Sequence, residues 1–125
     1  DTDVDSHYGL PVIKHSKERL NDLELYPFKE LINKGLNGVM VAHMNILAID
    51  ATPNLPSTLS KPVITDLLRN ELGFKGLVFT DAMRMEGVTK HHPVGEAEVK
   101  ALAADNDIME LTNDIPKAIA TIKEA

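Results

Sequence analysis

The chain has 125 residues, 43% of them hydrophobic and 26% charged, with a formal net charge of −6. That length can bury roughly two-thirds of the unfolded surface, which is enough for one core, and residues 1–125 read as a single partial domain. An acidic balance without any Lys/Arg cluster argues against nucleic acid, zero Cys excludes disulfides and cysteine nucleophiles, and no apolar run approaches the ~20 residues of a membrane span. The sequence opens on Asp1 rather than Met, shows no signal peptide, and reads as a fragment of a longer protein. It carries no address for a compartment.

Residues 1–15 are polar and read as a loop. Ser16 is placed to cap a helix, in which Leu20, Leu23 and Leu25 precede Pro27; that proline either breaks the helix or restarts it at a first-turn position. Phe28, Leu31 and Ile32 continue at helical spacing, and Gly35 supplies a stop. Gly38 to Ala42 is a short continuous apolar run, the pattern of a parallel strand buried on both faces. A long loop follows from Ile46 to Leu59. Ser60 then caps a helix with Pro62 in its first turn, Val63, Ile64, Leu67, Leu68 and Leu72 on its stripe, and Gly73 at its end. Gly76 to Thr80 is a second buried strand, ending at Asp81. After a loop to Pro93, Gly95 to Ala104 is helical, Asp107 to Leu111 is a third and weaker strand, and Asn113 or Asp114 caps the last helix. Strict alternation of helices with unalternated apolar strands predicts an α/β fold with parallel strands. Three strands amount to about half of a (β/α)₈ barrel, which needs about 250 residues.

In parallel α/β folds ligands sit at the carboxyl ends of strands, and His43, Asp81 and Glu110 fall there. A carboxylate such as Asp81 can serve as a nucleophile or stabilise a cation; it can equally be a helix cap or a solvated loop acid. Asp5-Ser6-His7 pairs a carboxylate with an imidazole two residues apart. On an extended loop that spacing puts both on one side, so the carboxylate can hold the ring's tautomer while the ring takes or gives a proton. His43 is either a hydrogen-bonded rim histidine or a ligand contact. His15, His91 and His92 lack metal-binding spacing, and nothing in the sequence calls for a cofactor. The five methionines read as packing.

Three segments together resemble glycoside hydrolase family 3, most closely its NagZ-like β-N-acetylglucosaminidase branch of peptidoglycan recycling. Asp1-Thr2-Asp3-Val4-Asp5-Ser6-His7 is similar to that branch's D-T-x-x-D-S-H loop. Gly38-Val39-Met40-Val41-Ala42-His43 resembles its V-M-x-A-H strand. Thr58-Leu59-Ser60 through Leu68-Arg69, Leu72-Gly73-Phe74-Lys75-Gly76 and Val78-Phe79-Thr80-Asp81-Ala82-Met83 resemble the run that ends at its nucleophile. The resemblance implies a TIM-like barrel, of which this is the C-terminal part, and a retaining two-step hydrolysis that releases terminal β-linked N-acetylglucosamine from a carbohydrate substrate. It implies Asp81 as nucleophile, His7 as general acid/base, Asp5 as the group that orients His7, and His43 as a sugar contact. Ala104-Asp105-Asn106-Asp107 stands where the family has A-G-N-D. Aspartate tolerates the left-handed backbone of a helix end less well than glycine, which predicts a small stability effect and no chemical one. The family's K-H-F-P-G-H-G stretch is not in this chain, so weak or no activity is expected of it alone. Its exposed strand edges predict self-association. The rival readings are a non-catalytic half-barrel used for binding or assembly, and a phospho-accepting receiver-like domain. The latter lacks the acidic pair and the lysine it needs.

Overall fold

The computed structural model describes Thr2 and residues 4–125; Asp1 and Asp3 of the opening motif lie outside the described residues. The order of elements is β1 (Val12–Ile13), α1 (Lys17–Arg19), a π-wound turn (Leu20–Glu24), α2 (Tyr26–Asn33), β2 (Gly38–Val41), β3 (Asn45–Ile46), a 3-10 turn (Ser57–Leu59), a π-wound helix (Pro62–Glu71), β4 (Leu77–Thr80), α3 (Glu86–Thr89), α4 (Glu96–Ala103) and α5 (Ile115–Glu124). Strand β2 pairs in parallel with β4, from Gly38 opposite Leu77 to Val41 opposite Thr80. The chain is therefore α/β with parallel strands, as expected.

Local chemistry explains the boundaries. Ser16 Oγ accepts the Arg19 amide at 3.3 Å, and Asp114 Oδ1 accepts the Lys117 amide at 3.0 Å, so each caps a helix start. Pro27 falls in the first turn of α2. It restarts the helix there, where its missing N–H leaves no partner unmet. The turn before it is widened, with the Leu25 amide reaching Leu20 O, which takes up the mismatch. Gly35, at φ +85°, ends α2; the amides of Gly35 and Leu36 return to the carbonyls of Ile32 and Leu31, closing the left-handed cap.

Two expectations are corrected. The opening loop contains β1, which pairs in parallel with β3 at the start of the segment read as a second loop. Two-residue strands leave no periodicity to read. One of its own residues ties it to the loop beneath: Asn45 Nδ2 lies 3.3, 3.2 and 3.1 Å from the carbonyl oxygens of Asp50, Thr52 and Leu55, among which its two hydrogens are shared. The third strand, at Asp107–Leu111, shrinks to a single parallel bridge between Phe79 and Ile108. Side chains replace the rest of its ladder. Asp107 Oδ2 takes the Val78 amide at 2.7 Å, Thr80 Oγ1 takes the Glu110 amide at 3.0 Å, and Leu111 turns left-handed at φ +49°.

The core lies between the strands and the helices. Val39 and Val78 pack with Val63, Ile64 and Leu68 of the Pro62–Glu71 helix and with Phe74 and Ala104; full burial of each large apolar side chain is worth about 1.5–3 kcal/mol. A second cluster joins Leu59, Met83, Val88, Ala97 and Ala101 beneath the loop that follows β4. The strands were expected to be covered on both faces. Instead, Met40 and Leu77, on the face away from the helices, are 56% and 49% exposed. Their apolar composition suits a face that a closed barrel would cover.

Candidate active site

Strands β2 and β4 end side by side, at Val41 and Thr80, and present His43 and Asp81 just beyond. The peptide after β4 is held from several directions. The Asp81 amide donates to Val41 O at 3.0 Å and the Met83 amide to Glu110 O at 2.9 Å. The Ala82 amide donates to Asp81 Oδ1 at 2.7 Å, which fixes one carboxylate oxygen. Asp81 itself is half-buried.

His43 is fully buried. Its Nε2 lies 3.0 Å from Ala82 O and its Nδ1 lies 2.8 Å from Thr58 Oγ1. A carbonyl oxygen only accepts, so Nε2 carries the proton and Nδ1 receives the Thr58 hydroxyl. Burial pushes the His43 pKa below its ordinary value, against the opposing pull of the Ala82 carbonyl and the Asp81 charge. The ring is neutral near pH 7. The ring reaches no surface, and both of its nitrogens are occupied within the protein.

Asp5 and His7 do meet, but across a turn closed by the Tyr8 amide donating to Asp5 O at 3.0 Å rather than on the extended loop expected. One carboxylate oxygen, Asp5 Oδ1, accepts both the His7 amide at 2.9 Å and His7 Nδ1 at 2.8 Å. These hydrogen bonds, the amide's first and then the ring's, hold the Asp5 carboxyl below its ordinary pKa. Because Oδ1 accepts, Nδ1 donates, and the Asp5 carboxylate leaves Nε2 uninvolved. Both side chains are open to solvent, His7 at 70% and Asp5 at 59%.

What joins the two halves of the site is a residue that sequence reasoning did not single out. Gly87, on α3, is so closely packed that a Cβ there would lie 3.2 Å from Gly9 O, 3.3 Å from Ser6 O and 3.4 Å from His43 Cβ. The loop carrying Asp5 and His7, the His43 side chain and the helix after Asp81 thus converge on one hydrogen atom. A lone glycine inside a predicted loop gave no signal of this. Thr58 was likewise quoted only as part of a motif, yet it is fully buried and holds His43; Asn106 Nδ2 in turn donates to Thr58 O at 2.9 Å. Glu110 contributes its backbone to the Asp81 loop. Among the described residues, no group of three or more His, Asp or Glu side chains is arranged to hold a metal ion.

The family model for the glycosyl hydrolase family 3 N-terminal domain matches residues 1–125. The chain belongs to glycosyl hydrolase family 3. It is similar to β-hexosaminidase A of Pseudoalteromonas piscicida, 36% identical over 118 residues that cover 86% of this chain and 20% of that protein. It is equally similar to a β-hexosaminidase of Nitrosospira multiformis, 36% identical over 113 residues covering 90% of this chain and 31% of that one. In three dimensions this family 3 chain resembles a glycoside hydrolase family 3 β-N-acetylglucosaminidase from Paenibacillus sp. str. FPU-7, with a TM-score of 0.89 and 41% identity over 98% of this chain and 23% of that one. The family 3 chain thus spans a third or less of these relatives, and it has the architecture of a TIM-barrel-type domain.

Proposed function

We propose that the whole protein is a retaining glycosidase that removes terminal β-linked N-acetylglucosamine, with residues 1–125 forming part of its single catalytic barrel. The observation that carries the reading is the packing at Gly87, which gathers the Asp5–His7 loop and the Asp81 loop at the same strand ends. The names of the β-hexosaminidase and β-N-acetylglucosaminidase relatives support the sugar class.

The chemistry follows from the two sites. In the first step Asp81 Oδ2 attacks the anomeric carbon while the glycosidic C–O bond breaks. Protonated His7 gives its Nε2 proton to the leaving oxygen, and a glycosyl ester on Asp81 results. In the second step neutral His7 takes a proton from water through Nε2. The resulting oxygen nucleophile attacks the anomeric carbon and Asp81 leaves as a carboxylate. Asp5, ionised throughout, stabilises the cationic ring formed in each cycle.

The test is release of the aryl group from an aryl β-N-acetylglucosaminide by the whole protein, with Asp81→Asn beside it. Hydrolysis that disappears in the variant is expected. Wild-type turnover in Asp81→Asn removes the nucleophile from the proposal, and sugar binding without turnover in the unaltered protein points instead to a binding module. For the isolated chain we propose weak turnover at most and self-association through the open face of β2 and β4, where Met40, Leu77 and Ile108 are exposed. Sedimentation showing a monodisperse monomer would sink the second point. Among the described residues no helix is long and apolar enough to cross a membrane.

A further inference from the structure

We propose that His43 is a positioning residue for the reaction at Asp81, acting with Thr58 through the Ala82 backbone. The inference rests on the glycosidase reading above. Four groups form a directed chain. The Thr58 hydroxyl donates to His43 Nδ1 at 2.8 Å, His43 Nε2 donates to Ala82 O at 3.0 Å, and the Ala82 amide donates to Asp81 Oδ1 at 2.7 Å. Both peptide groups that meet at Ala82 are thereby used. The C=O of one is anchored to a buried ring and the N–H of the other holds one carboxylate oxygen, so the backbone on either side of the Ala82 Cα is restrained next to Asp81.

The anchor is itself immobile. His43 and Thr58 are fully buried, and the Thr58 backbone is fixed by Asn106 Nδ2, which also donates to Ala101 O at 2.6 Å. The Gly87 packing against His43 Cβ closes the remaining side. A buried imidazole with every hydrogen bond made is a rigid strut. A nucleophile held by such a strut approaches an anomeric carbon without first having to be ordered. Burying a polar ring among apolar neighbours is otherwise costly. An apolar residue would fill the same space at lower cost if nothing beyond packing were required.

The test uses the whole protein, the aryl β-N-acetylglucosaminide and separate measurement of kcat and KM. His43→Leu is expected to lower kcat about 100-fold with KM within about threefold of the unaltered protein, since misplacement of the reacting group, not loss of binding, is the defect. His43→Gln can still offer an N–H to Ala82 O and is expected to recover kcat to within about tenfold. Thr58→Val, which keeps the volume and removes the hydroxyl, should lower kcat about tenfold, and Thr58→Ser should restore it. An unchanged kcat in His43→Leu overturns the inference. A raised KM with kcat preserved also overturns it, because that is the signature of a direct sugar contact. Should His43→Leu fail to fold, as judged by circular dichroism, equal kcat values in Thr58→Val and Thr58→Ser overturn it instead. Asp81→Asn assayed in parallel keeps the two failures apart. Loss of turnover there with no effect at His43 or Thr58 sinks only the positioning role; survival of turnover there removes Asp81 as the nucleophile and the positioning role with it, and no aryl release by the unaltered protein sinks the glycosidase reading itself.

Discussion

The loop after β4 and the loop before β1 carry the two halves of the proposed reaction, and they are built in opposite ways. Asp81 is half-buried, and its peptide is tied to Val41, Glu110 and His43. His7 is 70% exposed, and its side chain is held by a single carboxylate oxygen two residues away. The difference matches the work assigned to each. A nucleophile makes one bond at one carbon, and each degree of freedom removed beforehand lowers its barrier. An acid/base must meet a leaving oxygen in one step and a water in the next. It is better served by an exposed ring whose partner fixes the tautomer and leaves the position adjustable.

The largest expected effects test this contrast directly. Asp81→Asn should reduce aryl release to background, whereas His7→Ala should lower kcat by about 10²–10⁴-fold, the usual worth of general acid–base catalysis. If the acid/base role is correct, the His7→Ala loss should be smallest for aryl leaving groups that need no proton. A uniform loss across leaving groups breaks the comparison.

Stability separates the regions next. Phe74 is buried at the centre of the helix–strand core, with the Arg69 guanidinium 5.7 Å above its ring. Phe74→Ala should cost about 3–5 kcal/mol in denaturant unfolding. His7→Ala, on an exposed loop, should stay within about 0.5 kcal/mol of the unaltered protein. A comparable loss in both would mean that the His7 loop is structural.

The pH dependence follows from the buried rings. Burial holds both His43 and His92 below the ordinary histidine value. Below pH 6.5 the unfolded chain therefore binds protons that the folded chain refuses, and stability must fall as the pH drops from that value. The Asp5 and Asp107 carboxyls are held low by the His7 and Val78 amides respectively. Their contributions are present above the ordinary aspartate value of 3.8 and are lost only further down. Thermal melts between pH 7 and 5 should thus show a decline that His43→Gln reduces and Asp5→Asn does not. An equal slope in the two variants contradicts the assignment to buried histidine.

The smallest expected effect is at Asp105. It sits at φ +83°, just past α4, where the amides of Asp105 and Asn106 return to Leu102 O and Ala101 O. Asp105→Gly relieves a left-handed backbone but gives up the 3.3 Å contact with Arg69 Nε. The net change in unfolding free energy should be favourable and below about 1 kcal/mol.

Much of this molecule is written locally. Ser16 and Asp114 cap their helices, Gly35 and Gly73 end theirs at positive φ, and the apolar runs at Gly38–Val41 and Leu77–Thr80 become the paired strands. These features depend on neighbours within a few residues, so the order of residue types is enough to determine them. The Asp5–His7 hydrogen bond is legible for the same reason. What only the tertiary structure decided is where contacts span many residues. The β1–β3 pairing links positions more than thirty apart. The third strand is reduced where side chains take backbone amides on both sides of it, Asp107 Oδ2 that of Val78 and Thr80 Oγ1 that of Glu110. The fate of His43 depends on Thr58 and Ala82 coming to it from either side. An imidazole at a strand end has the same local sequence whether it meets solvent or a buried hydroxyl. Only the packing of a distant turn and of the helix bearing Gly87 sets its surroundings, and those surroundings set its protonation and its role.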